Sequence, residues 1–152
     1  MSEPTEPTVK AFGLLFKELH EKLRAQVRGL DTGTLNWRPL PKANSVAVLV
    51  THVVGSELEM IRSVRSIPTQ RDRDSEFKAE SDAGRLLEMI DAADREMDEH
   101  VAALTPADLE EPRPRGDRPP RPGIEWLIGN YGHAREHLAQ IELTKQLYDS
   151  RT

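Results

Sequence analysis

Apolar residues recur along this chain with a helical period rather than the alternation of a strand. Over residues 9–28, Phe12, Leu15, Phe16, Leu19, Leu23 and Val27 share one face, and the run ends at Gly29. The stretch LDTGTLNWRPLPKANS then breaks the pattern with glycine and proline and is expected as loop. Asn44 and Ser45 can cap the next helix, because their side-chain oxygens accept from its first free amides. That helix carries Val46, Leu49, Val50, Val53, Met60 and Val64 and stops near Pro68. Polar TQRDRDSEFKAE connects to a third helix from Ser81, with Leu86, Ile90, Ala93, Met97, Val101 and Leu104 inward. TPADLEEPRPRGDRPPRPG holds six prolines, and proline both lacks an N–H and crowds the preceding turn. A fourth helix covers residues 124–148. The pattern predicts an all-α fold, a four-helix bundle over residues 8–149 preceded by a flexible tail at 1–7.

Composition narrows the function classes. A length of 152 residues suits one domain with one core. The net charge of -5 disfavours nucleic acid as a partner, since tracking phosphates needs a cationic face. The chain has no cysteine, which removes disulfides, thiolate ligands and a cysteine nucleophile and fits a reducing cytoplasm. The first ten residues lack a basic start and an apolar run, so no signal peptide is expected. No apolar segment is long enough to span a bilayer.

The chemistry left is that of histidine. At about 100° per residue, Trp126, Asn130, His133, His137, Ile141, Thr144 and Tyr148 fall in one sector of the last helix, so His133 and His137 are expected to point inward. Two imidazoles at i and i+4 can hold one metal ion, or they can be core histidines bonded to neighbours. His52 tips the balance toward the metal. It sits beside Ser45, Leu49 and Ser56 and near Gly55, small residues that leave room next to its ring. Three neutral nitrogens would leave open positions, the pattern of a catalytic site.

Other polar residues have two readings each. Glu57 lies near the centre of the second helix's inward face, an expensive place for an unpartnered carboxylate. It is expected to orient a ligating imidazole or to pair with a buried arginine, unless that position is solvated. His100, on the inner flank of the third helix near its end, is a candidate pocket residue. Asn130 and Gln140 line the same pocket or bond the helix packing. Trp126 and Tyr148 are expected in the core. His20, at the margin of the first helix, is expected at the surface. Arg113, Arg115, Arg118 and Arg121 could steer an anion, but a solvated loop balanced by its own acids is the expected state. HEKLR, residues 20–24, lacks the second histidine of a helical metalloprotease motif, and no Glu-x-x-His of the di-iron bundles occurs.

LNWRPLPKANSVAVLVTHVVGSE, followed some eighty residues later by YGHAREHLAQIEL, resembles the DinB/YfiT-like superfamily of metal-dependent enzymes. The resemblance is carried by Trp37, Arg38, Pro39, Asn44, Ser45, His52, Glu57, His133, His137 and Gln140. It implies a four-helix bundle in up-down-down-up order, frequently a homodimer. It also implies a three-histidine site for a divalent metal, nickel, zinc or iron. Relatives of known activity use a low-molecular-weight thiol, as in mycothiol-dependent maleylpyruvate isomerase and the bacillithiol S-transferases. The implied reaction is a thiol-dependent S-transfer or isomerisation on a small electrophilic substrate. The alternative is a non-catalytic metal-binding bundle of the stress-response or ligand-binding kind, for which a fourth protein ligand such as His100 would speak. The segment EEPRPRGDRPPRPG before the last helix, with its Pro/Arg-rich part at 112–122, looks more proline- and arginine-rich than is usual for the family.

Overall fold

The computed structural model describes residues 6–151. Among them, four long helices form the frame: α1 (Glu6–Val27), α3 (Val46–Val64), α5 (Ala83–Ala102) and α7 (Gly123–Asp149). The predicted stripes of α1, α3 and α5 turn inward. Phe16, Leu19, Leu23 and Val27 of α1 are fully buried, as are Leu86 and Ile90 of α5. The helices neighbour one another in a ring, α1 on α5, α5 on α3, α3 on α7 and α7 on α1. Nearly every turn of α3 is buried on several sides, which explains why it reads as the most apolar stretch of the chain. Ser45 caps it, its hydroxyl accepting from the Val48 amide at 3.1 Å.

The connections hold more structure than the sequence pattern predicts. α1 begins at Glu6, inside the segment expected as a tail; the rest of that segment, residues 1–5, lies outside the described residues. The expected loop after α1 contains a short helix, α2 (Thr32–Asn36), because Asp31 accepts from the Thr34 amide and hydroxyl at its start. Two further short helices, α4 (Arg73–Glu76) and α6 (Pro106–Glu110), start at the caps Asp72 and Thr105.

The proline-rich segment is a β-hairpin, not an irregular break. β1 (Pro112–Arg115) pairs antiparallel with β2 (Arg118–Pro122) through Arg113↔Arg121 and Arg115↔Arg118. Its two-residue turn is Gly116–Asp117, and Gly116 takes φ +60°, the left-handed value a tight hairpin turn demands. Proline is tolerated because this ribbon has edges on both sides and few ladder donors to lose. β1 lies against α3 and β2 against α7. The hairpin thus forms a wall over the end of the histidine-bearing face. No helix among the described residues is long and apolar enough to cross a membrane.

Candidate metal centre

His52 projects from the middle of α3, and His133 and His137 from consecutive turns of α7, the helix packed against it. One ring nitrogen from each lies within 4.8 Å of the other two. His133 Nε2 and His137 Nε2 are 2.9 Å apart. The rings of His52 and His137 are perpendicular with centroids 4.9 Å apart, and that of His133 stands 5.9 Å from His52. The three residues singled out in the sequence are therefore brought to one point.

Their burial differs from expectation. His52 is buried, but the His133 side chain is 47% exposed and His137 only half-buried. The buried stripe of α7 runs through Trp126, Leu127, Asn130, Ala134, Leu138 and Ile141. It is rotated by part of a turn from the sector expected: Leu127, Ala134 and Leu138 lie in the core, where α7 packs on α3 and α1. The two histidines stand at its edge, over an open cleft.

The partners of each ring decide which nitrogen is free. His52 Nδ1 lies 3.1 Å from Glu76 Oε1, and the Arg71 guanidinium grips the same carboxylate at 2.8 and 2.9 Å. Arg71 Nη2 is also 3.1 Å from Nδ1. A carboxylate can only accept, so the bond that joins Glu76 to His52 needs the proton on Nδ1; Arg71 donates to the same carboxylate, and the Nε2 lone pair is then left free. His137 Nδ1 lies 2.8 Å from Gln140 Oε1, which leaves the Nε2 lone pair of this ring toward His133. Burial, first, and the neighbouring His137 hold both His52 and His133 below the ordinary histidine value. Neutral rings are the form in which histidine donates to a metal.

The donor set thus passes a test of fit. Two aligned acceptor nitrogens 2.9 Å apart repel unless a proton or a cation lies between them. An ion about 2.0–2.1 Å from each nitrogen would span that gap. Among the described residues the cluster has three members, so no fourth protein ligand closes it.

Several residues take other places than expected. Glu57 does not touch His52. It is fully buried and bonded to His20 Nε2, whose Nδ1 bonds Asp94 at 2.8 Å. His20, expected at the surface, is fully buried. It belongs to the same stripe as Phe16 and Arg24, one turn away on either side, and its ring is satisfied from α3 and α5. His100 is not a pocket residue: Arg65 and Glu96 hold it at 2.7 and 3.1 Å. Asn130 is buried and bonds Ser56 at 3.0 Å on the wall of the cleft. Trp126 is buried, as expected, while Tyr148 is half-buried against Trp37.

Glu76 and Arg71 were missed because they lie in a segment that reads as a polar connector. The α4 cap brings Glu76 back onto α3, and Arg38 ties the two loops together by donating to the carbonyls of Ala43 and Phe77 at 2.8 and 2.9 Å. The signal available was Gly55. A glycine inside a helix costs about 0.8–1 kcal/mol against alanine, and here the Glu76 carboxylate occupies the space its side chain would fill.

Among curated proteins none matches the chain. A conserved protein from Enterococcus faecalis shares the fold at TM-score 0.75 and 14% identity, over 99% of this chain and 100% of that one. A DinB-like protein from Bacillus cereus does so at TM-score 0.75 and 15% identity, over 92% of both chains. The model of the DinB superfamily matches residues 15–141, which span α1 to α7 and include all three clustered histidines: the chain belongs to the DinB superfamily.

Proposed function

We propose that this protein is a divalent-metal-dependent enzyme of the thiol-using kind, an S-transferase or isomerase acting on a small electrophile. The observation that carries the reading is the convergence of His52, His133 and His137, with each of the first and last held in one tautomer by a carboxylate or amide. His52, His133 and His137 would hold nickel, zinc or iron. A divalent ion bound there would supply Lewis acidity, lowering the pKa of a cofactor thiol so that thiolate exists near neutral pH. The protein has no cysteine to play that part.

The chain's own residues do the rest. Glu76 and Arg71 fix the His52 ring, and Gln140 fixes His137. The half-exposed His133 leaves the cluster open to a molecule entering from the cleft, which a structural site would not do. The alternative, a non-catalytic metal-binding bundle, is weakened by the position of His100, which cannot reach the cluster as a fourth ligand while bonded to Arg65 and Glu96. The reading includes a homodimer. Leu143 and Leu147, which line an apolar cleft with Pro39 and Leu49, are 54% and 41% exposed and offer a surface for it. Sedimentation velocity would give its mass.

The test of function is transfer of a small thiol to a chloro-dinitroarene or a maleate-type alkene. Mycothiol, bacillithiol, glutathione and coenzyme A are each offered to metal-loaded protein, metal-free protein and His52→Ala. Acceleration by the metal-loaded wild type alone is expected. The same background rate in all three would leave the non-catalytic bundle as the reading.

A further inference from the structure

The hairpin changes what the metal cleft can bind. Beside His52 and His133 lies a cavity of about 160 Å³, small against the ~300–1,000 Å³ of drug-sized ligand sites. Five guanidinium groups line it, those of Arg71, Arg73, Arg115, Arg118 and Arg121, against one lining carboxylate, Glu125. Acidic partners behind the wall do not absorb all of this charge. Arg71 is spent on Glu76 and Glu59. Arg115 is 7% exposed; its Nε donates to Glu59 at 2.9 Å and its Nη2 to the Ser56 hydroxyl at 2.9 Å, while Nη1 has no partner among the described residues. Arg118 reaches Glu59 only at 3.5 Å. Arg73 and Arg121 have no acidic partner among the described residues and lie over the rings of Phe77 and Trp126, both at 5.5 Å.

A solvated loop balanced by its own acids would not look like this. Arg113 does behave that way, pairing with Asp108 and Glu111. Arg115 instead turns under the hairpin onto α3. Burial, and then the positive fields of Arg118 and Arg71, push its guanidinium down from the ordinary arginine value. A buried cation among other cations lowers its free energy when an anion arrives.

We propose that this cavity recognises an anionic group, a carboxylate or a phosphate, on the small molecule handled at the three histidines. Arg115 is the buried anchor, Arg73 and Arg121 are the uncommitted cations, and Trp126 is the floor. The inference rests on the metal-site reading, because it makes the anion the handle that places a reacting atom beside His133. Planar guanidinium groups suit both oxyanions, since each offers paired N–H donors at the spacing of two oxygens. The size of the cavity restricts the handle to a small organic anion or a single anionic head group.

The test is calorimetric titration of metal-free and metal-loaded protein with inorganic phosphate, succinate and acetate at low ionic strength. Saturable binding of phosphate or succinate is expected in both forms, weakening as salt is added. The stronger of the two identifies the oxyanion. Arg73→Ala/Arg121→Ala removes exposed side chains and should weaken binding tenfold or more, with metal stoichiometry unchanged. Arg95→Ala, an exposed arginine of α5, should bind as the wild type does. Absence of saturable binding by wild type, or equal binding by the double variant, overturns the proposal even if the metal is held. Anion binding by a wild type that takes up no metal would instead overturn the metal reading and leave the anion pocket standing.

Discussion

The carboxylate of Glu76 occupies the space that a side chain on residue 55 would need, so Gly55 and Glu76 form a matched pair across α3 and α4. Through that pair the His52 ring is held from behind. Carboxylates in this position typically change metal affinity by about 10–100-fold when removed. Glu76→Ala is therefore expected to weaken divalent-metal binding by that factor in a competition titration, with the helical signal intact. Gly55→Ala should weaken it similarly, although alanine favours the helix by about 0.8–1 kcal/mol. A Gly55→Ala protein that gains stability and keeps full affinity would show that the pair has no bearing on the metal.

Stoichiometry gives a second prediction. Protein from metal-replete medium, purified without a histidine tag, should carry about one divalent ion per chain, by the three-ligand argument. His133→Ala and His137→Ala should lose it, and His20→Ala should keep it, since His20 bonds Glu57 and Asp94 rather than the cluster. Full occupancy in His133→Ala, by elemental analysis, would remove the basis of the reading.

Chelation separates site from scaffold. The four stripes bury Phe16, Leu23, Met60, Leu86, Ile90 and Ile141 without any contribution from the cluster. Removing the ion should lower the melting temperature by the ligand's linkage term and leave the helical circular dichroism unchanged at room temperature. A collapse of that signal on chelation would make the metal structural.

The helices were legible because each has a long apolar stripe with a stop, as at Phe16–Val27 before Gly29. The order of His52, His133 and His137 was legible because α3 and α7 carry them at helical spacing. What the spacing could not show is how far α7 is rotated about its axis. Its exposed Ile128, Leu143 and Leu147 blur the apolar face, and the true stripe through Ala134 and Leu138 is set by contacts with other helices. Glu76 was hidden because a four-residue helix has no periodicity to read. His20 was misplaced for a different reason. A polar residue on a buried stripe is legible only together with its partner, and Glu57 and Asp94 come from two other helices.

That buried group yields a stability prediction. His20 and Glu57 are both fully buried, and Glu57 Oε2 has no partner among the described residues. Removing one partner leaves an uncompensated buried group, at a cost of about 3–5 kcal/mol for such a pair. His20→Ala is expected to lose that much in urea denaturation. His20→Leu/Glu57→Leu should recover most of it, because a well-packed apolar pair replaces both polar groups. A double variant as unstable as His20→Ala would assign the loss to packing alone.

The same residues set a pH dependence whose sign follows from their surroundings. Burial alone would lower His20; the bond and charge of Glu57, then of Asp94, outweigh it and hold the imidazole above its ordinary 6.5. Burial likewise raises Glu57 above its ordinary 4.5, with the charge of Asp94 adding to it and His20 opposing. Arg24 and Lys17 face the cluster from α1, on the far side of Asp94. Both raised groups make the folded state hold protons that the unfolded chain releases. Their contribution is fully present below the unfolded values and is lost as pH rises through the folded ones. For His20 that loss begins above about pH 6.5. Asp94, held below its ordinary 3.8 by His20 and Arg24 against burial, acts only in the acid range. His52 and His133 are shifted down and act in the opposite sense, with their gain complete by about pH 6.5, so the comparison must be a difference between proteins. The urea midpoint of the wild type should fall as pH rises above about 6.5, relative to that of His20→Leu/Glu57→Leu. A constant difference between the two across that range would mean that the proton at His20 does not contribute to folding.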